Sequence, residues 1–255
     1  MSIAHHVVGS GPRHVLLTHG WFGSASGWGP FVDYLDTEAF TWVFTDVRGY
    51  GNRRGEQGDQ SLDETARDLL AVADEVGART FSLIGHSMGG AVIQKVLALA
   101  PERVEALVGI TPVGSMPTPF DEAGRGLFWG AAENRDNRYG IIDFTTGNRN
   151  SPVFVNSVVD WSLEHSDVDA FSRVLDAWAN ADFADDVRGA ELPVLVAAGE
   201  HDPALGRATV EQTWLPLFPH ARLEVIANAG HYPMFEAPVN LATTVNNFLK
   251  DAGED

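Results

Sequence analysis

The sequence predicts an α/β protein in which a mostly parallel central sheet carries helices on both faces, with a helical segment inserted late in the chain. Short apolar runs alternate with helical patterns over most of the 255 residues, which is typical of a parallel sheet. The alternation stops between residues 114 and 186, where no strand-like run occurs, and then resumes. At residues 81–100, a buried-strand run, a glycine-rich turn and a helical run follow one another directly.

Each element has its own local signal. Seven apolar runs have the length and composition of strands: 3–8, 14–18, 41–45, 81–84, 104–110, 193–199 and 223–226. The first two are joined by Gly9-Ser10-Gly11-Pro12, which predicts a hairpin-like turn. Helical patterns cover 28–35, 61–76, 91–100, 209–217 and 238–249. Ser61 and Glu64 have the spacing of a capping box, and Pro238 suits a first helical turn.

The chain is long enough to bury a substantial core as one domain with an insertion. We expect residues 1–113 and 187–255 to form the α/β core and residues 114–186 to form a helical cap. The region between Gly114 and Asp186 contains nine Trp and Phe residues, which is dense for a segment with no sheet to cover. Part of this apolar surface seats the helices, and we expect the rest to line a pocket.

Composition excludes several functional classes. The formal net charge of −18 and a pI near 4.7 argue against nucleic acid and anionic membranes as partners. The absence of cysteine excludes disulfides, thiol catalysis and Cys-ligated metals. No metal-binding spacing such as H-E-x-x-H occurs, so we expect no metal and no cofactor. No run of about 18 apolar residues and no signal-peptide pattern is present, which predicts a cytoplasmic protein that does not bind membranes.

The turn at residues 85–89 has the pattern Gly85-x-Ser87-x-Gly89 between a strand and a helix, which is the pattern of a nucleophile elbow. Such a tight turn holds the serine in strained backbone geometry, and side chains two residues away on either side would collide with the neighbouring strand and helix. Ser87 also starts a helix, where N–H groups and the helix dipole favour a developing oxyanion. We predict that Ser87 is a nucleophile; the alternative is a glycine-rich turn with an incidental serine.

A serine nucleophile needs an adjacent base, which a third group orients. Two loops at predicted strand ends supply candidates: Glu200, His201 and Asp202 in one, and His231 in the other. Because the carboxyl ends of parallel strands share one edge of the sheet, Ser87, Asp202 and His231 can converge there. Glu200 competes with Asp202 as the acid. We favour Asp202 because it lies further into the loop, and we interpret His201 as a packing residue.

The loop Asp46-Val47-Arg48-Gly49-Tyr50-Gly51 superficially resembles a dinucleotide-binding fingerprint. The third glycine of that fingerprint would fall at Arg54, and no acidic ribose partner follows at the right place. We therefore predict that Asp46 and Arg48 form an ion pair or brace the loop, and that no dinucleotide binds.

Together these motifs resemble the α/β-hydrolase superfamily over nearly the whole chain. The resemblance rests on His19-Gly20-Trp21-Phe22, the 46–51 loop, Gly85-His86-Ser87-Met88-Gly89-Gly90, the 199–202 loop and Gly230-His231. It implies the α/β-hydrolase fold, with Ser87, Asp202 and His231 as a catalytic triad in the chain order of that fold. It also implies that the backbone N–H groups of Met88 and Trp21 form the oxyanion hole, beneath a helical cap.

Departures from subfamily patterns narrow the implied chemistry. Haloalkane dehalogenases and epoxide hydrolases of this fold use an aspartate where this chain has Ser87. Hydroxynitrile lyases typically have lysine at the position of Tyr232, and carbon–carbon bond hydrolases usually have asparagine at the position of His86. The His-Gly-Trp loop is more similar to that of small carboxylesterases, some of which also act as cofactor-free perhydrolases or haloperoxidases.

The favoured function is therefore a serine hydrolase that cleaves carboxylic esters or lactones through an acyl-enzyme on Ser87. Its alternatives are a ligand-sensing protein that keeps the triad with vestigial turnover, a perhydrolase or haloperoxidase, and a carbon–carbon bond hydrolase. Residues 114–186 hold 13 acidic and 5 basic residues, eight net negative charges, which predicts a neutral, hydrophobic small-molecule substrate. We expect these residues to contact it: Trp21, Phe22, His86, Trp129, Trp161, Trp178 and Tyr232.

Overall fold

The computed structural model describes residues 3–253, and seven of its strands form one sheet. The strands are β1 (His5–Val8), β2 (Arg13–Thr18), β3 (Phe40–Thr45), β4 (Phe81–His86), β5 (Val104–Ile110), β6 (Val194–Gly199) and β7 (Arg222–Ile226). Their spatial order is β1-β3-β2-β4-β5-β6-β7. β1 runs antiparallel to β3, and all the other neighbours are parallel. The predicted mostly parallel α/β fold is therefore confirmed.

The predicted hairpin between the first two strands is wrong. β3 lies between β1 and β2 and pairs with both, so the two strands are not neighbours. The connecting turn instead crosses the start of β3, where Ser10 N–H donates to the Thr37 carbonyl and Gly11 N–H to the Phe40 carbonyl. The Gly/Pro signal marked a turn correctly, but it carried no information about which strand lies next to β1.

The centre of the sheet is covered on both faces. Every residue of β4 and of β6 is buried. Because successive side chains of a strand point to opposite faces, this pattern requires packing on both sides of the sheet. Helices supply it: α1 (Leu62–Glu75) packs on α2 (Met88–Leu99), which contacts β4 and β5, while α9 (Pro238–Asp251) contacts β6 and β7.

The helix predictions hold best where a capping signal was present. Ser61 caps α1 by accepting a hydrogen bond from Glu64 N–H at 3.1 Å. The pattern at 28–35 gives only a 3-10 helix (Gly29–Tyr34), in which Gly29 has a positive φ of 55°. The pattern at 209–217 gives a short helix α7 (Arg207–Thr213).

Residues 114–186 contain helices and no strand, apart from a single bridge between Tyr50 and Ser166. The helices, all between β5 and β6, are α3 (Glu122–Trp129), α4 (Arg135–Thr145), α5 (Pro152–Glu164) and α6 (Val168–Ala179). We call this segment the cap; its bounds stay those predicted from the sequence. It joins the 46–51 loop through two backbone bonds of 2.8 Å, from Gly51 N–H to the His165 carbonyl and from Asp167 N–H to the Gly49 carbonyl.

The 46–51 loop is braced by two separate sets of contacts. Buried Asp46 accepts hydrogen bonds from Ala25 N–H (2.6 Å) and Asn52 N–H (2.9 Å). Arg48 pairs with Glu64 and Asp68 of α1, both at 2.8 Å. The two residues thus brace the loop, as predicted, although they do not pair with each other.

Among the helices of residues 3–253, none combines the length and apolar content that crossing a bilayer requires.

Candidate active site

Ser87 lies at the turn between β4 and α2 in a strained backbone conformation. Its φ of 52° and ψ of −118° are unusual for a residue with a side chain. Hydrogen bonds hold it there, since Ser87 N–H donates to the Ile110 carbonyl and the Ser87 carbonyl accepts from Gly90 and Val113. A Cβ atom at Gly85 would lie 2.2 Å from the Gly89 carbonyl oxygen, and one at Gly89 would lie 2.6 Å from the Thr18 carbonyl oxygen. Both glycines are therefore required by the tight turn.

Asp202 and His231 form a buried pair at the ends of β6 and β7. His231 Nδ1 lies 2.6 Å from Asp202 Oδ2, and the Asp202 side chain is fully buried. The other carboxylate oxygen of Asp202 accepts hydrogen bonds from Ala204 N–H (2.9 Å) and Leu205 N–H (3.0 Å). A carboxylate with this set of donors accepts a hydrogen bond from Nδ1–H, which leaves the lone pair of the imidazole on Nε2.

Ser87 and His231, both within the described residues, line the same cavity, but no hydrogen bond joins their side chains. Catalytic hydrogen bonds are often long in ligand-free enzymes and shorten when substrate binds. The structure therefore brings together the three side chains that the sequence predicted. Of the two hydrogen bonds that a triad needs, it contains the one between His231 and Asp202.

Glu200, the competing carboxylate, lies elsewhere. Its side chain is about half exposed and accepts a hydrogen bond from Asn228 N–H at 2.9 Å. His201 is 41% exposed and lies 3.6 Å from Glu200. Neither side chain reaches His231, which favours Asp202 as the orienting acid.

Two backbone N–H groups are placed near the serine without an acceptor of their own. Met88 begins α2, where an N–H group has no partner within the helix. Trp21 lies in the loop after β2, next to Gly20, where an added Cβ would lie 3.0 Å from the Ser87 Cβ. Within residues 3–253, neither the Trp21 nor the Met88 N–H donates to a protein acceptor. This placement is compatible with the predicted oxyanion hole.

The Trp21 side chain is fixed by the cap. Its indole N–H donates to the Phe171 carbonyl of α6 at 2.7 Å, and its ring stacks on the Phe171 ring with centroids 4.2 Å apart. Arg138 lies on the Phe171 ring, with its guanidinium carbon 3.7 Å from the centroid. Burial lowers the pKa of Arg138 to about 10, and its guanidinium donates to the carbonyls of Ala131 and Ala132 and to the hydroxyl of Ser162.

The backbone of His231 is held by two strand ends. His86 Nε2 donates to the His231 carbonyl at 2.8 Å, and Thr111 Oγ1 donates to the same carbonyl at 3.1 Å. Burial, and then the proximity of His231, lower the pKa of His86 well below its ordinary value, so the His86 ring is neutral. The sequence predicted a substrate contact for His86 and missed this structural contact. It also gave no reason to select Thr111, whose only local sign is its position at a strand end.

A cavity of about 860 Å³ opens above Ser87 between the core and the cap. Five of the seven predicted substrate contacts line it: Trp21, Phe22, His86, Trp178 and Tyr232. Four of the nine cap aromatics do so, namely Phe120, Phe128, Phe144 and Trp178. Among the described residues that line the cavity, Asp121 is the one carboxylate, and none is a lysine or an arginine.

The other two predicted contacts lie outside this cavity. Trp129 packs against Phe120 and Arg125, and its indole N–H donates to Asp176. Trp161 stacks on His165 with centroids 3.8 Å apart and lines a separate cavity of about 190 Å³. Their presence in the predicted cap could not distinguish these two positions from those that line the cavity above Ser87.

Within residues 3–253, no group of three or more His, Asp or Glu side chains is arranged to hold a metal ion.

Comparisons with known proteins agree with this fold. A non-heme haloperoxidase from Rhodococcus erythropolis is 26% identical over 88% of this chain and 86% of its own. Carboxylesterase YbfK from Bacillus subtilis is 26% identical over 96% of this chain and 83% of its own. The crystal structure of an enol-lactonase from Burkholderia xenovorans superposes with a TM-score of 0.82 at 21% identity, covering 97% of this chain and 96% of that chain.

The model of the alpha/beta hydrolase family matches residues 15–244, a span that includes the serine elbow and both later loops. The chain therefore belongs to the alpha/beta hydrolase family.

Proposed function

We propose that this hydrolase cleaves carboxylic esters or lactones of neutral, hydrophobic small molecules, with Ser87 as the nucleophile. The observation that carries the proposal is the 2.6 Å contact between His231 and fully buried Asp202, at the edge of the same cavity as a strained serine. Acyl transfer requires a serine, a base and an orienting acid in this relation. Relatives named as carboxylesterases support the choice of an ester bond.

The steps follow from the positions of the groups. His231 Nε2 takes the Ser87 proton as the Ser87 oxygen attacks the ester carbonyl. The resulting oxyanion accepts hydrogen bonds from the N–H groups of Trp21 and Met88. When the carbonyl re-forms, His231 returns the proton to the departing alcohol, and the acyl group stays on Ser87. Water then attacks this acyl-enzyme with His231 again as the base, and the acid is released. Asp202 stabilises the imidazolium during both acylation and deacylation.

Turnover on a panel of p-nitrophenyl esters and lactones tests this proposal. An enzyme releases many equivalents of product per chain. A ligand-sensing protein would instead release about one equivalent and then stop, which would contradict the proposal. Because Ser87 is one of the residues that line the cavity, covalent labelling of Ser87 by a fluorophosphonate gives an independent measure of its reactivity.

A second candidate reaction uses the same acyl-enzyme. Two relatives are named as a non-heme haloperoxidase and a non-heme chloroperoxidase, which favours hydrogen peroxide as an alternative attacking group. Peroxide would displace the acyl group from Ser87 as a peracid and regenerate the serine hydroxyl. Peracid formation from an acetate ester and peroxide, measured against the Ser87→Ala variant, tests this reaction. Equal peracid formation by the two proteins would reject it.

The lining of the cavity predicts discrimination against negatively charged esters. Its walls are mostly apolar, Asp121 is the one carboxylate among the described residues that line it, and the surrounding cap is strongly acidic. Moving a substrate carboxylate into such a site costs desolvation energy that no cation returns. We expect a p-nitrophenyl ester with a carboxylate on its acyl chain to have a kcat/KM on the order of a hundredfold below that of its neutral analogue.

The control for this prediction is Asp121→Asn, which removes the negative charge from the lining of the cavity. It should raise kcat/KM for the anionic ester about twofold to threefold at low salt and leave the neutral ester unchanged. Added salt should narrow the gap between the two esters. An anionic ester that reacts faster than its neutral analogue at low salt would contradict this assignment of substrate class.

A further inference from the structure

The loop that carries His231 is held by the cap on both sides of the histidine. On the N-terminal side, His231 N–H donates to the Thr145 carbonyl at the end of α4, at 3.1 Å. Gly230 packs so closely there that an added Cβ would lie 2.6 Å from the Thr146 Cα. The guanidinium of Arg149, from the turn between α4 and α5, donates to the Asn228 carbonyl at 2.6 Å.

On the C-terminal side, a buried carboxylate joins the loop to the cap. Glu236 ends the short helix α8 (Pro233–Glu236), and its side chain is 4% exposed. One carboxylate oxygen accepts from Tyr232 N–H at 3.0 Å. The other accepts from Asn150 Nδ2 at 3.0 Å and from the Arg149 guanidinium.

These contacts form one unit. Arg149 joins the residue three before His231 to a carboxylate that holds the residue directly after it. The pair Arg149 and Glu236 is therefore placed to fix the loop from both ends, whereas Asp202 fixes the imidazole alone. A buried carboxylate without its cation is costly, so the two side chains depend on each other.

We propose that Arg149 and Glu236 are positioning residues for His231, through which the cap sets the place of the catalytic base. This inference rests on the proposed function, since it needs His231 to act as the base. A small displacement of such a group has a large effect, because a misplacement of about 1 Å can cost on the order of a hundredfold in rate.

The pair also has an electrostatic effect that a packing role would lack. The charged and titratable groups around His231 and its loop are Asp202, Glu200, His201, His86, Tyr232, Glu236 and Arg149. Burial, and then the charges of Asp202 and Glu236, raise the pKa of Tyr232, and His86 is neutral, so neither offsets a change in the pair. Removing one member leaves the charge of the other uncompensated at the loop that carries the base.

The test uses three variants and follows kcat, KM and the pH profile of kcat/KM on a neutral p-nitrophenyl ester. Glu236→Gln and Arg149→Gln should each lower kcat on the order of tenfold, with KM within about twofold of wild type. Glu236→Gln leaves an uncompensated cation, which should move the acidic midpoint of the profile to lower pH. Arg149→Gln leaves an anion and should move it to higher pH. The double variant should return the midpoint towards wild type.

The matched control is Arg135→Gln, which removes an exposed ion pair of the cap, Arg135 with Asp160 at 2.6 Å. It should leave the rate and the pH profile unchanged. Arg149→Lys keeps the charge and should keep the wild-type midpoint.

Activity of the wild type and of Arg135→Gln establishes the hydrolase in the same assay, so failure of the inference is distinct from failure of the proposed function. Midpoints that stay together in all variants, or that shift in the same direction, would overturn the inference. Should Arg149→Gln not fold, the direction of the shift in Glu236→Gln decides alone.

Discussion

Replacing Ser87 by alanine should abolish ester hydrolysis and leave the fold intact. The substitution removes one oxygen atom from a residue that faces the cavity, and the hydrogen bonds that hold the elbow all use backbone atoms. Loss of a triad member in a serine hydrolase lowers kcat on the order of a million-fold. The residual rate would come from substrate binding and the oxyanion hole. The measurement is kcat on a p-nitrophenyl ester, with far-UV circular dichroism and Tm to show that the variant is folded.

The matched control is Ser82→Ala, which changes a buried serine in β4, the strand that leads into the elbow. Ser82 does not line the cavity in the described structure, so this variant should keep the wild-type kcat within about twofold. Retention of even a tenth of the wild-type rate by Ser87→Ala would refute the assignment of Ser87 as the nucleophile.

The parallel direction of most strands could be predicted, because the alternation of strand-like and helical runs is a local signal. Apolar runs separated by helices require crossovers, and crossovers give parallel neighbours. The position of β1 could not be predicted, because β1 and β2 are linked by a turn that also allows β3 to lie between them. Likewise, the helical pattern at 28–35 did not distinguish an α-helix from the 3-10 helix that the structure contains at Gly29–Tyr34.

The distinction between features that local sequence signals determine and features that they do not also applies to the site. Gly85 and Gly89 mark the elbow because sterics of the turn exclude a side chain, and that constraint is visible in the sequence. Arg149 and Glu236 meet across 87 positions of the chain, and Thr111 meets the His231 carbonyl across 120. Such contacts depend on how the cap and the strand ends pack, which no local pattern encodes.

Replacing Asp202 by asparagine should also be severe, because the surrounding donors decide how the amide sits. Ala204 and Leu205 both donate to Asp202 Oδ1, so the single oxygen of asparagine must take that position. Its NH₂ group then faces His231 Nδ1, where the carboxylate oxygen had accepted a hydrogen bond. His231 would have to present its lone pair at Nδ1 and carry its proton on Nε2, which is the wrong tautomer for a base. In a well-studied triad this change costs on the order of ten-thousand-fold in kcat.

The comparison that decides the acid is Asp202→Asn against Glu200→Gln, with kcat measured for both over the same pH range. Glu200 accepts one hydrogen bond from Asn228 N–H, and glutamine keeps an oxygen that accepts it equally well. The Glu200 side chain is about half exposed, so loss of its charge is largely screened by solvent. We therefore expect Glu200→Gln to stay within about twofold of wild type. If Glu200→Gln proved the more damaging of the two, Glu200 would be the orienting acid, and the contact between Asp202 and His231 would serve only to hold the two loops together.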